Sequence, residues 1–203
     1  QAVEFHGAEA LSLASRMTLC SMTTEMGAKV GLVPPDDLTR AYAPVPDWLT
    51  VDERAVYVRR IEVNLAEIEP LVACPPRVDD VTPARQLADV AVDQVFIGTC
   101  TNGRLQDLQA AAAVMRGRPI ASGVRMIVIP ASHTVLQQAT EDGTLARLLA
   151  GGATIGPPGC GPGAWPPWSA AAAIAAVSCP SRAARAVPWP APASWTAFAW
   201  PAC

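Results

Sequence analysis

Two cysteines stand where a thiol could act as a metal ligand. Cys100 lies in Thr99-Cys100-Thr101-Asn102, at the end of an apolar run, and Cys160 lies in Gly159-Cys160-Gly161-Pro162-Gly163, which begins like the rim of a metal site. Thiolates bind soft metals and iron–sulfur clusters. The competing reading of Cys100 is a buried cysteine that packs as a small hydrophobe. Cys20, Cys74, Cys179 and Cys203 bring the count to six. An even count could be a disulfide set, but such frameworks belong to shorter chains with a signal peptide, so none is expected. His6 and His133 carry no functional expectation.

The elements around these cysteines follow from hydrophobic periodicity. From Asp93, DQVFIGT reads as a buried strand, RLQDLQAAAAVMRG as an Ala-rich helix and VRMIVIP as a second buried strand. SHTVLQQATEDGTLARLLAGG then reads as one or two helices. Alternation of this kind predicts α/β architecture, a parallel or mixed sheet flanked by helices. Ligands collect beyond the carboxyl ends of such strands, where Cys100 sits. Upstream, Ser12 is placed to cap a helix over residues 12 to 26, with Gly27 at its end, and KVGLV follows as a short strand. Residues 36 to 92 read as a connecting region, in which VRRIEVNL alternates as a half-buried strand should.

Composition bounds the function. The 203 residues are 51% hydrophobic, enough for a buried core, and the net charge of −3 offers no basic face for nucleic acid. Neither a signal peptide nor a membrane span is evident, because the apolar run at 170 to 177 is too short. The expectation is a cytoplasmic protein with no nucleic-acid or membrane partner, and a chain opening on Gln1 rather than Met reads as a fragment.

VDQVFIGTCTNGRLQDLQAAA, GVRMIVIPAS and PPGCGP, together with LSLASRMTLCSMTTEMGAKVGLVPPDD and RRIEVNLAEIEP, resemble the large subunits of the 3-isopropylmalate dehydratases in the aconitase superfamily. The resemblance runs in order from about Ala2 to Pro162. It implies an incomplete aconitase-type α/β/α fold, with residues 1–35 closing a preceding domain, 36–92 connecting and 93–162 bearing a cluster. It also implies a [4Fe-4S] cofactor held by three cysteines, of which Cys100 and Cys160 match the first two. Position 163, where the third belongs, is Gly163. The iron left without a thiolate would bind the substrate, a small 2-hydroxy acid, and assist loss and return of water. Glu25 matches the family's acidic residue in N-M-x-x-E, with Ser21 in place of the Asn, and Asn102 and Ser132 match positions around cluster and substrate. Each has a plainer reading: Glu25 as a solvated helix residue, Asn102 and Ser132 as caps. The implied partner is a separate small subunit. The implied reaction is isomerisation of 2-isopropylmalate to 3-isopropylmalate in leucine biosynthesis. Homoaconitase, aconitase or a non-catalytic remnant are the alternatives.

The family's histidine and aspartate motifs would lie before residue 1, and its S-x-N-R-N-F-x-G-R stretch does not follow Cys160. After Cys160 the composition changes. Five of six tryptophans and eight prolines fall there, with no Asp or Glu. Codons supply a reason. Reading the third base of each codon with the first two of the next turns Gly163-Ala164 into NGC, which permits Cys. The following pairs permit Leu-Ala-Ala-Met, close to the family's continuation. Residues 163 to 203 therefore read as a frameshifted tail, expected to be disordered, against the alternative of a genuine Trp/Pro-rich interaction segment. A chain in this form is expected to be inactive.

Overall fold

The computed structural model describes residues 1–24, 26–74 and 80–161. The tail from Gly163 and the residue Glu25 lie outside the described residues. The chain divides into two compact units, Gln1–Glu69 and a second beginning at Pro70.

In the first unit β1 (Ala2–Glu4) and β2 (Val30–Leu32) pair in parallel around α1 (Leu13–Met22). Ser12 caps α1 as expected, its Oγ accepting from the Ser15 amide at 3.2 Å. The helix ends four residues before the expected limit. Thr23 is fully buried and its hydroxyl donates back to the Cys20 carbonyl at 2.6 Å. A Cβ on Gly31 would lie 2.6 Å from Thr23 Cγ2 and 2.8 Å from Cys20 Cα, so only glycine lets β2 pack this closely against the end of α1. Gly27, at φ 77°, closes the following turn rather than the helix itself. Arg16, only 3% exposed, ties the unit together. Its Nε donates to the Leu11 carbonyl at 3.1 Å, its Nη2 to the Glu9 carbonyl at 2.9 Å, and its Nη1 lies 2.8 Å from Asp36 Oδ2. Asp36 in turn caps α2 (Asp37–Tyr42) through the Thr39 amide at 3.0 Å.

The strand expected from VRRIEVNL does not form. Residues 58–64 are irregular and a 3-10 turn occupies Leu65–Glu67. Val56 and Val58 are 96% and 94% exposed. Alternation alone cannot hold a strand: among the described residues no neighbour supplies the ladder hydrogen bonds that would offset the cost of ordering it.

In the second unit β3 (Leu71–Ala73) and β4 (Val81–Pro83) form an antiparallel pair. Then come β5 (Gln94–Gly98), α3 (Leu105–Met115), β6 (Arg125–Ile129), α4 (His133–Glu141), α5 (Thr144–Ala150) and β7 (Thr154–Ile155). The sheet order is β5-β6-β7, parallel throughout, with Gly98 opposite Ile129 and Val128 opposite Ile155. Alternate residues Val95, Ile97, Met126, Val128 and Ile155 share one core with Leu108 of α3, Val135 of α4 and Leu148 of α5. The period of two on the strands thus meets the helical stripes on a single face of the sheet. On the opposite face Phe96 and Ile129 are buried. Gly156 and Gly161 pack against Ile129 so closely that a Cβ on either would stand 2.4 Å or 2.8 Å from its side chain. No helix among the described residues is long and apolar enough to cross a membrane.

Candidate functional site

The three parallel strands end side by side, and each hands its chain to a tight loop. After β5 the backbone turns through Gly98 at φ 103° and Thr99 at φ 110°, the latter a conformation that a β-branched residue adopts only under strain. The Thr99 amide donates to the Ile129 carbonyl at 3.1 Å, and the Thr99 hydroxyl accepts from the Thr101 amide at 3.3 Å. The Gly103 carbonyl accepts from the Ala131 amide at 2.8 Å. A Cβ on Gly98 would stand 1.9 Å from the Ile129 oxygen, and one on Gly103 would stand 2.5 Å from it. The turn carrying Cys100 is therefore pressed onto the end of β6.

Cys160 arrives from the other side. After β7 the Gly156 amide donates to the Val128 carbonyl at 2.9 Å and the Gly159 amide to the Pro130 carbonyl at 3.2 Å. Gly159 and Gly161 have φ values of 138° and 58°, so the glycines flanking Cys160 supply the turn that a side chain would resist. The outcome joins residues 60 apart in sequence: Cys100 Sγ and Cys160 Sγ lie 3.0 Å apart, and both residues are exposed. The Thr101 hydroxyl lies 3.9 Å from Cys100 Sγ.

Of the other residues singled out from sequence, Asn102 lies in the same turn, half-buried. Ser132 caps α4, its Oγ accepting from the Val135 amide at 3.2 Å. It stands at the carboxyl end of β6, and its plainer role as a cap is fulfilled. Ser21 lies in α1 of the first unit, half-buried. Glu25 is not among the described residues. Among these residues no group of three His, Cys, Asp or Glu side chains is placed to hold a metal ion.

Asp107 was not singled out from sequence. It lies in the first turn of α3, buried, and its Oδ2 accepts from the Arg104 amide at 2.9 Å, fixing the start of the helix directly after the Cys100 turn. Burial pushes its carboxyl up to about 6, against the lowering effect of that amide and of the Arg104 charge. The sequence signal was present: an acid three residues after a helix start is a capping position. Gly98 and Gly103 likewise bracket the cysteine in a pattern that invites a close backbone approach.

The aconitase family (aconitate hydratase) matches this chain over residues 1–89 and 82–178. The chain is 53% identical over 164 residues to the homoaconitase large subunit of Thermus thermophilus, a match covering 79% of this chain and 39% of the relative. It is 51% identical over 161 residues to the 3-isopropylmalate dehydratase large subunit of Herpetosiphon aurantiacus, covering 79% and 38%. It is 49% identical over 170 residues to the probable methanogen homoaconitase large subunit of Methanosarcina mazei, covering 80% and 43%. The chain thus spans some two-fifths of the length of these curated relatives.

Proposed function

The chain belongs to the aconitase family, and from that premise we propose that it carries the two-cysteine sheet edge of a hydro-lyase large subunit. The proposed reaction is isomerisation of 2-isopropylmalate to 3-isopropylmalate, in leucine biosynthesis, with a separate small subunit as partner. Names of relatives from Herpetosiphon aurantiacus and Deinococcus radiodurans support the dehydratase reading and its large-subunit status. The observation that carries it is the meeting of Cys100 and Cys160 at the carboxyl edge of a parallel sheet. A second reading, homoaconitase, is favoured by the 53% identity to the Thermus thermophilus protein of that name. Both take a 2-hydroxy acid. In either, Glu25 is proposed to move the proton, with Ser21, Asn102 and Ser132 in the surroundings of substrate and cluster.

The donor set does not fit the family's three-cysteine [4Fe-4S] cluster as this chain stands. Two thiols meet, no third donor joins them among the described residues, and Gly163 offers no side chain at the family's third position. We assign that gap to a shifted reading frame after Cys160. Relatives at 49–53% identity cover only 79–80% of the chain, as a foreign final fifth would require. Resequencing the DNA around codons 160 to 165 tests this, and an intact frame in several independent reads would overturn it.

Activity is tested by anaerobic reconstitution with iron and sulfide, then a hydro-lyase assay with small subunit added. The 203-residue chain is expected to give a weak, oxygen-labile iron–sulfur absorbance and no turnover of isopropylmalate. A frame-corrected, full-length large subunit is expected to turn it over. Stoichiometric iron and turnover by the short chain would show that Gly163 does not matter. Failure of the full-length protein on both isopropylmalate and the homoaconitase substrate would remove the hydro-lyase reading.

A further inference from the structure

The first unit gathers a different set of metal-ligating atoms, apart from Cys100 and Cys160. We propose that Glu4, His6 and Tyr57 form a surface site for a divalent cation of the zinc class. This goes beyond the hydro-lyase reading and rests on the first unit alone.

Glu4 closes β1 and His6 follows two residues on, so the alternation of extended backbone carries both side chains to one side. There His6 Nε2 lies 3.1 Å from Glu4 Oε2. The Phe5 amide between them donates to the Leu32 carbonyl at 2.8 Å, which holds the stretch against β2. Tyr57, 53 residues beyond Glu4, donates its hydroxyl to the same Glu4 oxygen at 2.5 Å, and its Oη lies 3.5 Å from His6 Nε2. The phenol ring meets the imidazole edge to face, with centroids 6.2 Å apart. A carboxylate, an imidazole and a phenol thus converge on one point. Because the third donor is a tyrosine, the absence of a group of three His, Cys, Asp or Glu side chains does not bear on it.

Zinc holds nitrogen and oxygen at about 2.0–2.2 Å, which sets neighbouring ligands of a tetrahedron about 3.3–3.6 Å apart. The two separations from His6 Nε2, 3.1 and 3.5 Å, are already close to that. The third is shorter because Tyr57 and Glu4 share a proton. Metal binding displaces that proton to water, and the two oxygens part by about 1 Å around the ion. Tyr57 sits on irregular backbone, which permits the movement. The Glu4 carboxylate holds the Tyr57 phenol above its ordinary range, and a bound dication reverses that influence and favours the phenolate. Tyr57 is 50% exposed and the His6 side chain 51%, so a hydrated ion reaches both and keeps water in its remaining position. The exposed Glu4–His6 ion pair adds little by itself, so little is lost when a metal replaces it. One imidazole with two oxygens suits zinc, whereas magnesium and calcium take oxygen donors and more of them.

The test uses the reduced 203-residue chain with isotope-labelled histidine, titrated with zinc in a metal buffer that fixes the free ion and followed by nuclear magnetic resonance of the imidazole rings. The chain has two histidines, so His133→Gln assigns the signals. The His6 signal is expected to shift and saturate at free zinc at least about tenfold below any response of His133, because extra ligands are worth at least what outer-shell partners are. For the same reason Glu4→Gln and Tyr57→Phe should each raise the His6 midpoint at least about tenfold. Thiols also bind zinc, so the doubly substituted Cys100→Ser, Cys160→Ser chain is the control, and its His6 response should be unchanged. Magnesium at the same concentrations should leave His6 unmoved. Joint responses of His6 and His133, an unchanged midpoint in both Glu4→Gln and Tyr57→Phe, loss of the response with the two cysteines, or an equal response to magnesium would each overturn the proposal.

Discussion

A methyl group at Gly98 should damage the site more than its size suggests. Gly98 holds φ at 103°, and its missing Cβ would stand 1.9 Å from the Ile129 oxygen and 2.9 Å from the Ile129 carbonyl carbon. Both are backbone atoms and cannot swing aside. In Gly98→Ala the positive φ costs about 1–2 kcal/mol. Pushing the Ile129 carbonyl away also breaks the bond from the Thr99 amide, about 1 kcal/mol, and strains the β5–β6 pairing by about 1–3 kcal/mol. The sum is about 3–6 kcal/mol, a large share of the roughly 5–15 kcal/mol by which a domain is stable. Two companions separate the contributions. Gly123→Ala carries a positive φ of 85° with nothing within 4 Å of its Cβ, so it should cost only about 1–2 kcal/mol. Gly103→Ala carries the clash without the positive φ, its Cβ 2.5 Å from the same Ile129 oxygen, and should fall between them. Urea unfolding followed by far-ultraviolet circular dichroism gives the three differences. Equal losses in Gly98→Ala and Gly123→Ala would refute the reasoning.

Two pH effects follow from buried or ion-paired carboxyls. Asp107 has a folded-state value near 6 against an ordinary 3.8. Between those values the folded chain keeps a proton that the unfolded chain has lost, so stability falls as pH rises from 3.8 to about 6 and then levels. The fall should be about 2–3 kcal/mol, and Asp107→Asn should flatten it; an unchanged slope in urea midpoints from pH 4 to 7 would contradict the assignment. Asp36 behaves oppositely. The Arg16 guanidinium, followed by the Thr39 amide, holds its carboxyl well below the ordinary 3.8, so its contribution is present above that value and fades as pH falls beneath it. Amide hydrogen exchange of α1 should speed up between pH 5 and pH 3, corrected for intrinsic rates, and in Asp36→Asn it should be fast at both. Equal α1 protection at the two pH values in the unsubstituted chain would rule this out.

Much of the second unit was legible from local pattern. The apolar runs VFIGT and RMIVIP became β5 and β6 because residues flanked by helical stripes bury on both faces, and such runs have few other stable fates. RLQDLQAAAAVM became α3 because alanines and leucines at helical spacing need no distant partner to choose their conformation. The same logic misled at VRRIEVNL, where alternation was present but a pairing strand was not. It also overran α1, which ends at Met22, with the buried Thr23 folding its hydroxyl back onto the Cys20 carbonyl. The two-residue β7 carried no periodic signal at all.

For the site, the sequence by itself determined the chemistry available: a cysteine at a strand end, another between glycines, and a glycine at position 163. Only the tertiary structure decided that the two thiols touch, that Thr99 is held at a strained φ and that Asp107 is buried beneath the turn. Side-chain type and short spacing are properties of neighbours along the chain. The approach of Cys100 to Cys160 depends instead on the order of three parallel strands and on Gly98, Gly103, Gly156 and Gly161 pressing against Ile129. That packing exists only once the residues between the two cysteines have folded and brought the strand ends to one edge.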